Sequence, residues 1–166
     1  MIKTINNLIN ENEYEYLNGI CKVFTTLDDP NTNETNYYLR NQINGMYISD
    51  YINSINEYIK VNYGADYKPL STWINKVTPD TNKDDEYHKD DSNLTMVTFL
   101  NENFKGGEFQ YVDVNDMTHH TIEPKIGLTL IMDDRLPHRV RPVKMGERFS
   151  LVTFFKISEK KNTTLI

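Results

Sequence analysis

His88 and Asp90 stand two apart in the stretch EYHKDD. In an extended chain, residues i and i+2 project to the same side. The imidazole of His88 and the carboxylate of Asp90 would then point together, with Lys89 and Asp91 turned away. A divalent metal between them needs at least one more ligand from elsewhere in the chain. Histidines occur at 88, 119, 120 and 138. His119 and His120, in DMTHHTIEP, are adjacent, so a strand would send them to opposite faces, and they read as solvated hairpin residues. His138, in RLPHRVRP, follows the apolar run LTLIM and neighbours His88 if the strands wrap into a barrel. His88, Asp90 and His138 would make a 2-His-1-carboxylate facial triad, which leaves three coordination positions open and suits non-haem Fe(II) oxygenases. Zinc hydrolases also use such ligands, so these three residues leave the metal open.

Arg148, in MGERFSLVTFF, narrows the choice. Strand alternation places Arg148, Ser150, Val152 and Phe154 on one face and Phe149, Leu151, Thr153 and Phe155 on the other. An arginine aimed into a core beside a metal is costly unless an anion meets it. Its planar fork suits a carboxylate held by two parallel hydrogen bonds, and Ser150 adds a third donor. A dicarboxylic ligand would reach from the metal to Arg148.

The elements that must position these residues fall into two parts. Residues 11–27 place Tyr14, Leu17, Ile20, Cys21 and Phe24 at helical spacing, and GMYISDYINSINEYIKVNYG does the same with Ile48, Tyr51, Ile52, Ile55 and Ile59. Gly64 stands where a helix C-terminus favours glycine. DDPNTNETN between them reads as a loop. From Tyr67 the period shortens to two. STWINKVT, LTMVTFL, GEFQYVDV, TLIMDD and RFSLVTFF read as strands, separated by turn signals such as NENFKGG, EPKIG and VKMGE. The predicted fold is α+β and mainly β, with the strands in a sandwich or barrel and the helices packed on it. A single domain spans 1–166, helical over about 1–65 and a β-barrel over about 66–158.

The bulk composition agrees. Hydrophobic residues make up 38% and charged residues 25% of 166, which suits a folded domain with its own core. A net charge of −6 argues against nucleic acid as a partner, since phosphates call for a basic surface. Cys21 is the only cysteine, which excludes an intrachain disulfide and a cysteine-based zinc cluster. The opening MIKTINNLINENEYEYL has no sustained apolar run, and no stretch has the length of a membrane span. The expectation is a cytoplasmic protein without a membrane partner.

The order HKD, then PHRV, then RFS resembles the 2-oxoglutarate- and Fe(II)-dependent dioxygenases, in particular the prolyl 4-hydroxylase-like group. TMVTFLNENFKGGEFQYVD and IEPKIGLTLIMDD are similar to the strand, LN turn, GGE-type hairpin and pre-histidine strand of that group. The resemblance covers roughly residues 73 to 156. It implies a double-stranded β-helix (a jelly-roll, cupin-like barrel) supported by N-terminal helices. It implies iron held by His88, Asp90 and His138, and the distal carboxylate of 2-oxoglutarate paired with Arg148, with Ser150 nearby. Many members add a tyrosine hydroxyl to that cosubstrate. The matching zones here read KVTPD and TMVTF, where Thr98, or else Thr95, offers a hydroxyl instead. The reaction implied is hydroxylation of a C–H bond coupled to decarboxylation of 2-oxoglutarate to succinate, with dioxygen as oxidant and ascorbate as a reductant. An arginine at 148, where collagen-type prolyl hydroxylases commonly carry lysine, favours the oxygen-sensing branch.

Substrate clues are fewer. Peptidyl-proline is the single substrate that the resemblance favours. A free amino acid, another side chain or a small molecule under the same chemistry, and a non-catalytic metal-binding β-barrel module, are the alternatives. The segment TPDTNKDDEYHKDD carries Asp80, Asp84, Asp85 and Glu86 ahead of the first metal ligand. It reads either as a solvated loop or as an acidic lid. Arg135, Arg139, Arg141 and Lys144 surround His138 and would balance that acidic loop across the mouth. Val97, Phe99, Leu130 and Val152 read as core or as cavity lining, and Trp73 as core.

Overall fold

Asn10 closes the first turn of the first helix by a reciprocal pair of bonds. The Glu13 N–H donates to Asn10 Oδ1 at 2.9 Å and the Asn10 N–H to a Glu13 carboxylate oxygen at 2.8 Å, a capping box. The computed structural model describes residues 1–23, 35–38, 46–64, 66–80 and 86–158. Its elements in order are β1 (Ile2–Ile5), α1 (Glu11–Val23), β2 (Thr35–Tyr38), α2 (Met46–Tyr63), β3 (Tyr67–Val77) and β4 (Leu94–Phe99). β5 (Lys105–Gly106), β6 (Phe109–Val112), β7 (His119–Ile122), β8 (Thr129–Asp133), β9 (His138–Val140), β10 (Val143–Met145) and β11 (Arg148–Ile157) complete the chain. α2 ends on Gly64, whose φ of 117° is open to glycine and whose N–H donates back to the carbonyls of Ile59 and Lys60.

The strands form a large sheet in the order β1-β8-β4-β11-β3-β2, a three-stranded sheet β7-β6-β9, and the small pair β10-β5. This is the mainly β arrangement with supporting helices that the sequence predicts. β11 runs through the middle of the large sheet, paired antiparallel with β3 along its whole length and with β4 on the other side. Each face of that sheet has its own core. On one, Ile74, Leu94, Met96, Ile131, Leu151 and Phe155 pack against Leu17 and Cys21 of α1 and Ile55 and Ile59 of α2. On the other, Val97, Phe99, Leu130, Met132 and Val152 pack with Phe109 of the three-stranded sheet. The site residues sit in this second, inter-sheet layer.

Several strands were not foreseen: β5 and β10 lie in NENFKGG and VKMGE, which read as turns, β9 was not singled out in RLPHRVRP, and β1 and β2 were not read as strands. β1 pairs with β8, from Ile2 opposite Met132 to Ile5 opposite Thr129, and β2 pairs with β3 at the other edge. Of the expected helical stretch 11–27, residues 24–27 lie outside the described residues, as do the side chains of Ile20, Ile48, Tyr51 and Trp73.

Candidate metal centre

His88, Asp90 and His138 come together: one ligand atom from each lies within 4.8 Å of the others. Strand β9 delivers His138. His88 is held opposite it by a single antiparallel bridge, in which the two residues exchange N–H···O bonds of 2.9 Å each way. His88 therefore lies in a bridge and Asp90 in the irregular segment after it, where the sequence suggested the start of a strand. The two side chains still converge, with His88 Nε2 4.0 Å from Asp90 Oδ1 and His138 Nε2 3.7 Å from Asp90 Oδ2.

The ring of His138 is fixed on two sides. It stacks on Phe109 with centroids 5.3 Å apart and planes 18° apart, and its Nδ1 lies 3.1 Å from the Leu136 carbonyl. A proton on Nδ1 donated to that carbonyl leaves Nε2 as the free lone pair, the tautomer a metal requires. Burial pushes the imidazole below its ordinary pKa, against the opposing pull of Asp90 and the Leu136 carbonyl, and the nearby His88 lowers it further. His138 is thus neutral at physiological pH and ready to ligate. His88 is the solvent-facing member, and Asp90 is mostly covered. Asp90 Oδ2 accepts a 2.6 Å hydrogen bond from the hydroxyl of Thr95. Two nitrogens and a carboxylate oxygen at this spacing fit a divalent first-row metal.

Arg148 opens β11 and is 1% exposed. Its Nη1 donates to Ser150 Oγ at 3.2 Å, and its guanidinium carbon lies 5.1 Å from the centre of the Phe99 ring. Nε and Nη2 are buried and meet no acceptor. Burial draws the guanidinium from its ordinary pKa down to about 10, so it stays cationic at neutral pH. Gly107, with φ 72°, makes room for it. A Cβ there would lie 3.0 Å from Arg148 Cδ. Arg148 and His138 border one inter-sheet layer, the first over Phe99 and the second on Phe109.

Thr98 requires a correction. It lies opposite Leu151 in the β4–β11 register, on the face that packs against the helices, and its hydroxyl is 2.8 Å from that of Thr129. Arg148, Ser150, Phe99, Val97 and Thr95 share the other face, so Thr98 does not reach a ligand held by Arg148. Sequence reasoning named Thr95 only as an alternative cosubstrate contact. Its place beside Asp90 was missed, although a hydroxyl five residues after a ligating aspartate was a visible signal.

The remaining candidates lie apart from the triad. His119 and His120 are exposed on β7. His119 Nδ1 meets Tyr87 Oη at 2.9 Å, and His120 stacks on Tyr111. Arg139 lies over the Tyr87 ring at 4.4 Å and donates to Gln110, while Arg135 pairs with Asp133. Asp84 and Asp85 of the acidic segment fall outside the described residues.

Comparison with known proteins follows the same lines. A Pseudomonas putida prolyl-4-hydroxylase superposes with a TM-score of 0.75 at 15% identity, over 94% of this chain and 92% of its own. A collagen prolyl hydroxylase of Paramecium Bursaria Chlorella virus-1 gives 0.67 at 17% identity, over 96% of each chain. A Trichoplax adhaerens prolyl hydroxylase in complex with a hypoxia inducible factor oxygen degradation domain peptide fragment gives 0.68 at 16% identity, over 94% of this chain and 83% of its own. These likenesses establish the shared double-stranded β-helix fold. No curated protein matches the sequence. The sequence matches the 2OG-Fe(II) oxygenase superfamily over residues 74–156, the span that holds the triad and Arg148. The chain belongs to that superfamily, whose members are oxidoreductases using Fe(II), 2-oxoglutarate and dioxygen.

Proposed function

We propose that this protein is a hydroxylase acting on peptidyl-proline, with His88, Asp90 and His138 as the iron ligands and Arg148, supported by Ser150, as the seat of the distal carboxylate of 2-oxoglutarate. Bound iron and 2-oxoglutarate would supply the oxidising chemistry: one oxygen atom of dioxygen enters the substrate C–H bond and the other enters succinate, with release of carbon dioxide. The chain's own residues hold and orient. His138, neutral and with its free nitrogen set by the Leu136 carbonyl, is presented without rotational search. Arg148 offers a fork already ordered by Ser150 and Phe99. Val97, Leu130 and Val152 line the layer between them and exclude water.

The observation that carries this reading is the orphaned guanidinium. A fully buried cation with two nitrogens lacking any acceptor is destabilising for the protein alone, and a carboxylate satisfies both at once. A non-catalytic metal-binding module has no use for it. The prolyl assignment rests on the likeness to the three solved prolyl hydroxylases. The test is incubation with Fe(II), ascorbate, 2-oxoglutarate and a library of proline-containing peptides, read by succinate formation and by peptide mass. Gain of one oxygen on proline together with stoichiometric succinate is the expected result. Succinate driven only by a free amino acid, a small molecule or a peptide without proline would reassign the substrate. Absence of succinate from folded, iron-loaded protein with every substrate would remove the enzymatic reading.

A further inference from the structure

Asp90 can offer a metal either one oxygen or two. Oδ1 lies 4.0 Å from His88 Nε2 and Oδ2 lies 3.7 Å from His138 Nε2, so both oxygens border the space between the imidazoles. The distinction has a chemical consequence. A facial triad of single-atom ligands leaves three of six positions open, and a chelating carboxylate would take one of the three.

The residues after Asp90 bear on that choice. Thr95 Oγ1 is 2.6 Å from Asp90 Oδ2, within the short range of a hydroxyl donating to a carboxylate. Ser92 Oγ is 2.8 Å from Thr95 Oγ1. An ionised carboxylate only accepts, and each hydroxyl has one proton. The Thr95 proton is therefore committed to Asp90, and the Ser92 proton must be the one between Ser92 and Thr95. The chain Ser92→Thr95→Asp90 has one polarity. Ser92 and Thr95 are both buried, at 3% and 2% exposure, so water does not compete for the donors. The backbone carrying the relay is fastened to β11. The Asn93 N–H donates to the Phe155 carbonyl at 2.8 Å, the Ile157 N–H donates to Asn93 Oδ1 at 2.8 Å, and Lys156 pairs with Asp91.

We infer that Thr95 is a positioning residue that sets the denticity of Asp90: by occupying Oδ2, polarised from behind by Ser92, it keeps the aspartate a single-atom ligand through Oδ1 and preserves the three open positions. The inference rests on the assignment of Asp90 as a metal ligand and adds a role for two hydroxyls that touch neither metal nor substrate. It also differs from the ordinary effect of a residue behind a ligand, whose loss weakens the metal itself by roughly 10–100-fold. Here a lost hydroxyl frees the carboxylate to chelate, so the metal is retained and the open position is lost.

The experiment uses the whole chain. In the parent protein with its aspartates carbon-13 labelled, the infrared difference spectrum on adding Zn(II) reports the splitting of the Asp90 carboxylate stretches, assigned by its disappearance in Asp90→Asn. A splitting wider than that of the free ion, as for a single-atom ligand, is expected. A narrowed splitting, as for a chelate, would overturn the inference while leaving the metal centre intact. Failure of the parent to bind Zn(II) at all would remove the metal centre and the inference with it. In Thr95→Val, Zn(II) affinity should stay within about threefold of the parent and the splitting should narrow. The affinity of the anaerobic Fe(II) protein for 2-oxoglutarate, read by the visible charge-transfer band of the chelate, should fall by roughly tenfold or more, with recovery in Thr95→Ser. Equal loss of metal and cosubstrate in Thr95→Val, or unchanged 2-oxoglutarate affinity, would show that the hydroxyl does not govern denticity. A chelating Asp90 in the parent would refute the inference even if Thr95→Val does not fold.

Discussion

Replacing Arg148 by methionine should make the ligand-free protein more stable while abolishing its response to 2-oxoglutarate. Methionine has nearly the length of arginine and fills the same slot between Phe99 and Gly107 without a charge. The fall of the guanidinium to about 10 corresponds to about 3 kcal/mol of burial cost at 1.36 kcal/mol per pH unit. Loss of the bond to Ser150 gives back about 1 kcal/mol, leaving a net gain of about 2 kcal/mol, in line with measured exchanges of buried ionic groups for apolar ones. For a chain of this length that is a rise in Tm of about 4–8 °C. The parent, loaded with a redox-inert divalent metal, should gain about 2.7 kcal/mol from 2-oxoglutarate at a hundredfold excess over its Kd, and Arg148→Met should gain nothing. Because arginine remains charged up to the region of pH 10, the difference between the two proteins should be flat from pH 6 to about 9. Thermal melts followed by circular dichroism, with and without the ligand, make the measurement. A variant that melts below the parent in the absence of ligand would mean that the guanidinium is satisfied by the protein itself. A variant that still responds to 2-oxoglutarate would mean that its carboxylate sits elsewhere.

Three further outcomes are expected. Gly107→Ala must hold a Cβ at φ 72° and 3.0 Å from both Arg148 Cδ and Phe104 Cε2. It should cost about 1–2 kcal/mol in urea unfolding and weaken 2-oxoglutarate binding by displacing the arginine; a neutral result would show that the fork has slack. Thr98→Val should cost about 1–3 kcal/mol by stranding the Thr129 hydroxyl, yet leave 2-oxoglutarate affinity unchanged, and a fall in that affinity measured by calorimetry would return Thr98 to the site. Cys21, buried in the helix layer with its thiol pushed up to about 12, should resist iodoacetamide at pH 8 in the folded protein and react on unfolding, as followed by mass; rapid labelling of the native chain would contradict that packing.

What could be read ahead of the structure follows from how far each feature depends on distant pairing. His88 with Asp90, His138, and the Arg148–Ser150 face were legible because alternation within a short extended segment fixes where neighbours point, and RFSLVTFF alternates along β11 as written. The register that brings His138 against His88 across fifty residues is a tertiary fact that the motif order suggested and geometry supplied. β1 was not legible. IKTI becomes a strand only because β8 offers it an edge, with Ile2 opposite Met132. Thr98 was misplaced for a related reason. Every residue of LTMVTF is buried, so polarity does not mark which side of β4 faces the cavity. The bend at residues 91–93 also breaks the alternation that would have carried the count forward from Asp90.

The buried polar groups then separate into those the fold answers and those it does not. Thr98 meets Thr129, Ser92 meets Thr95, and Asn101 accepts from the Phe149 N–H while donating to the Glu147 carbonyl. The Thr98 and Asn101 contacts tie distant segments together, the Ser92–Thr95 contact is local, and each is closed within the protein. Among the described residues, the side-chain atoms left over are one amide oxygen each of Asn56 and Asn75 and two nitrogens of Arg148. The asparagine oxygens are neutral and belong to side chains that are only partly covered, so their cost is small. Arg148 is charged, fully enclosed and already oriented by Ser150, and a sequence that needed only to fill that volume has methionine and leucine at its disposal. Retaining the cation at a cost of about 3 kcal/mol makes physical sense if the state that matters is the one with an anion bound. The same reasoning separates the two halves of the proposed site: the triad alone would serve many metals and many chemistries, whereas a triad and an unanswered guanidinium bordering one inter-sheet layer would suit a ligand with a carboxylate at its far end.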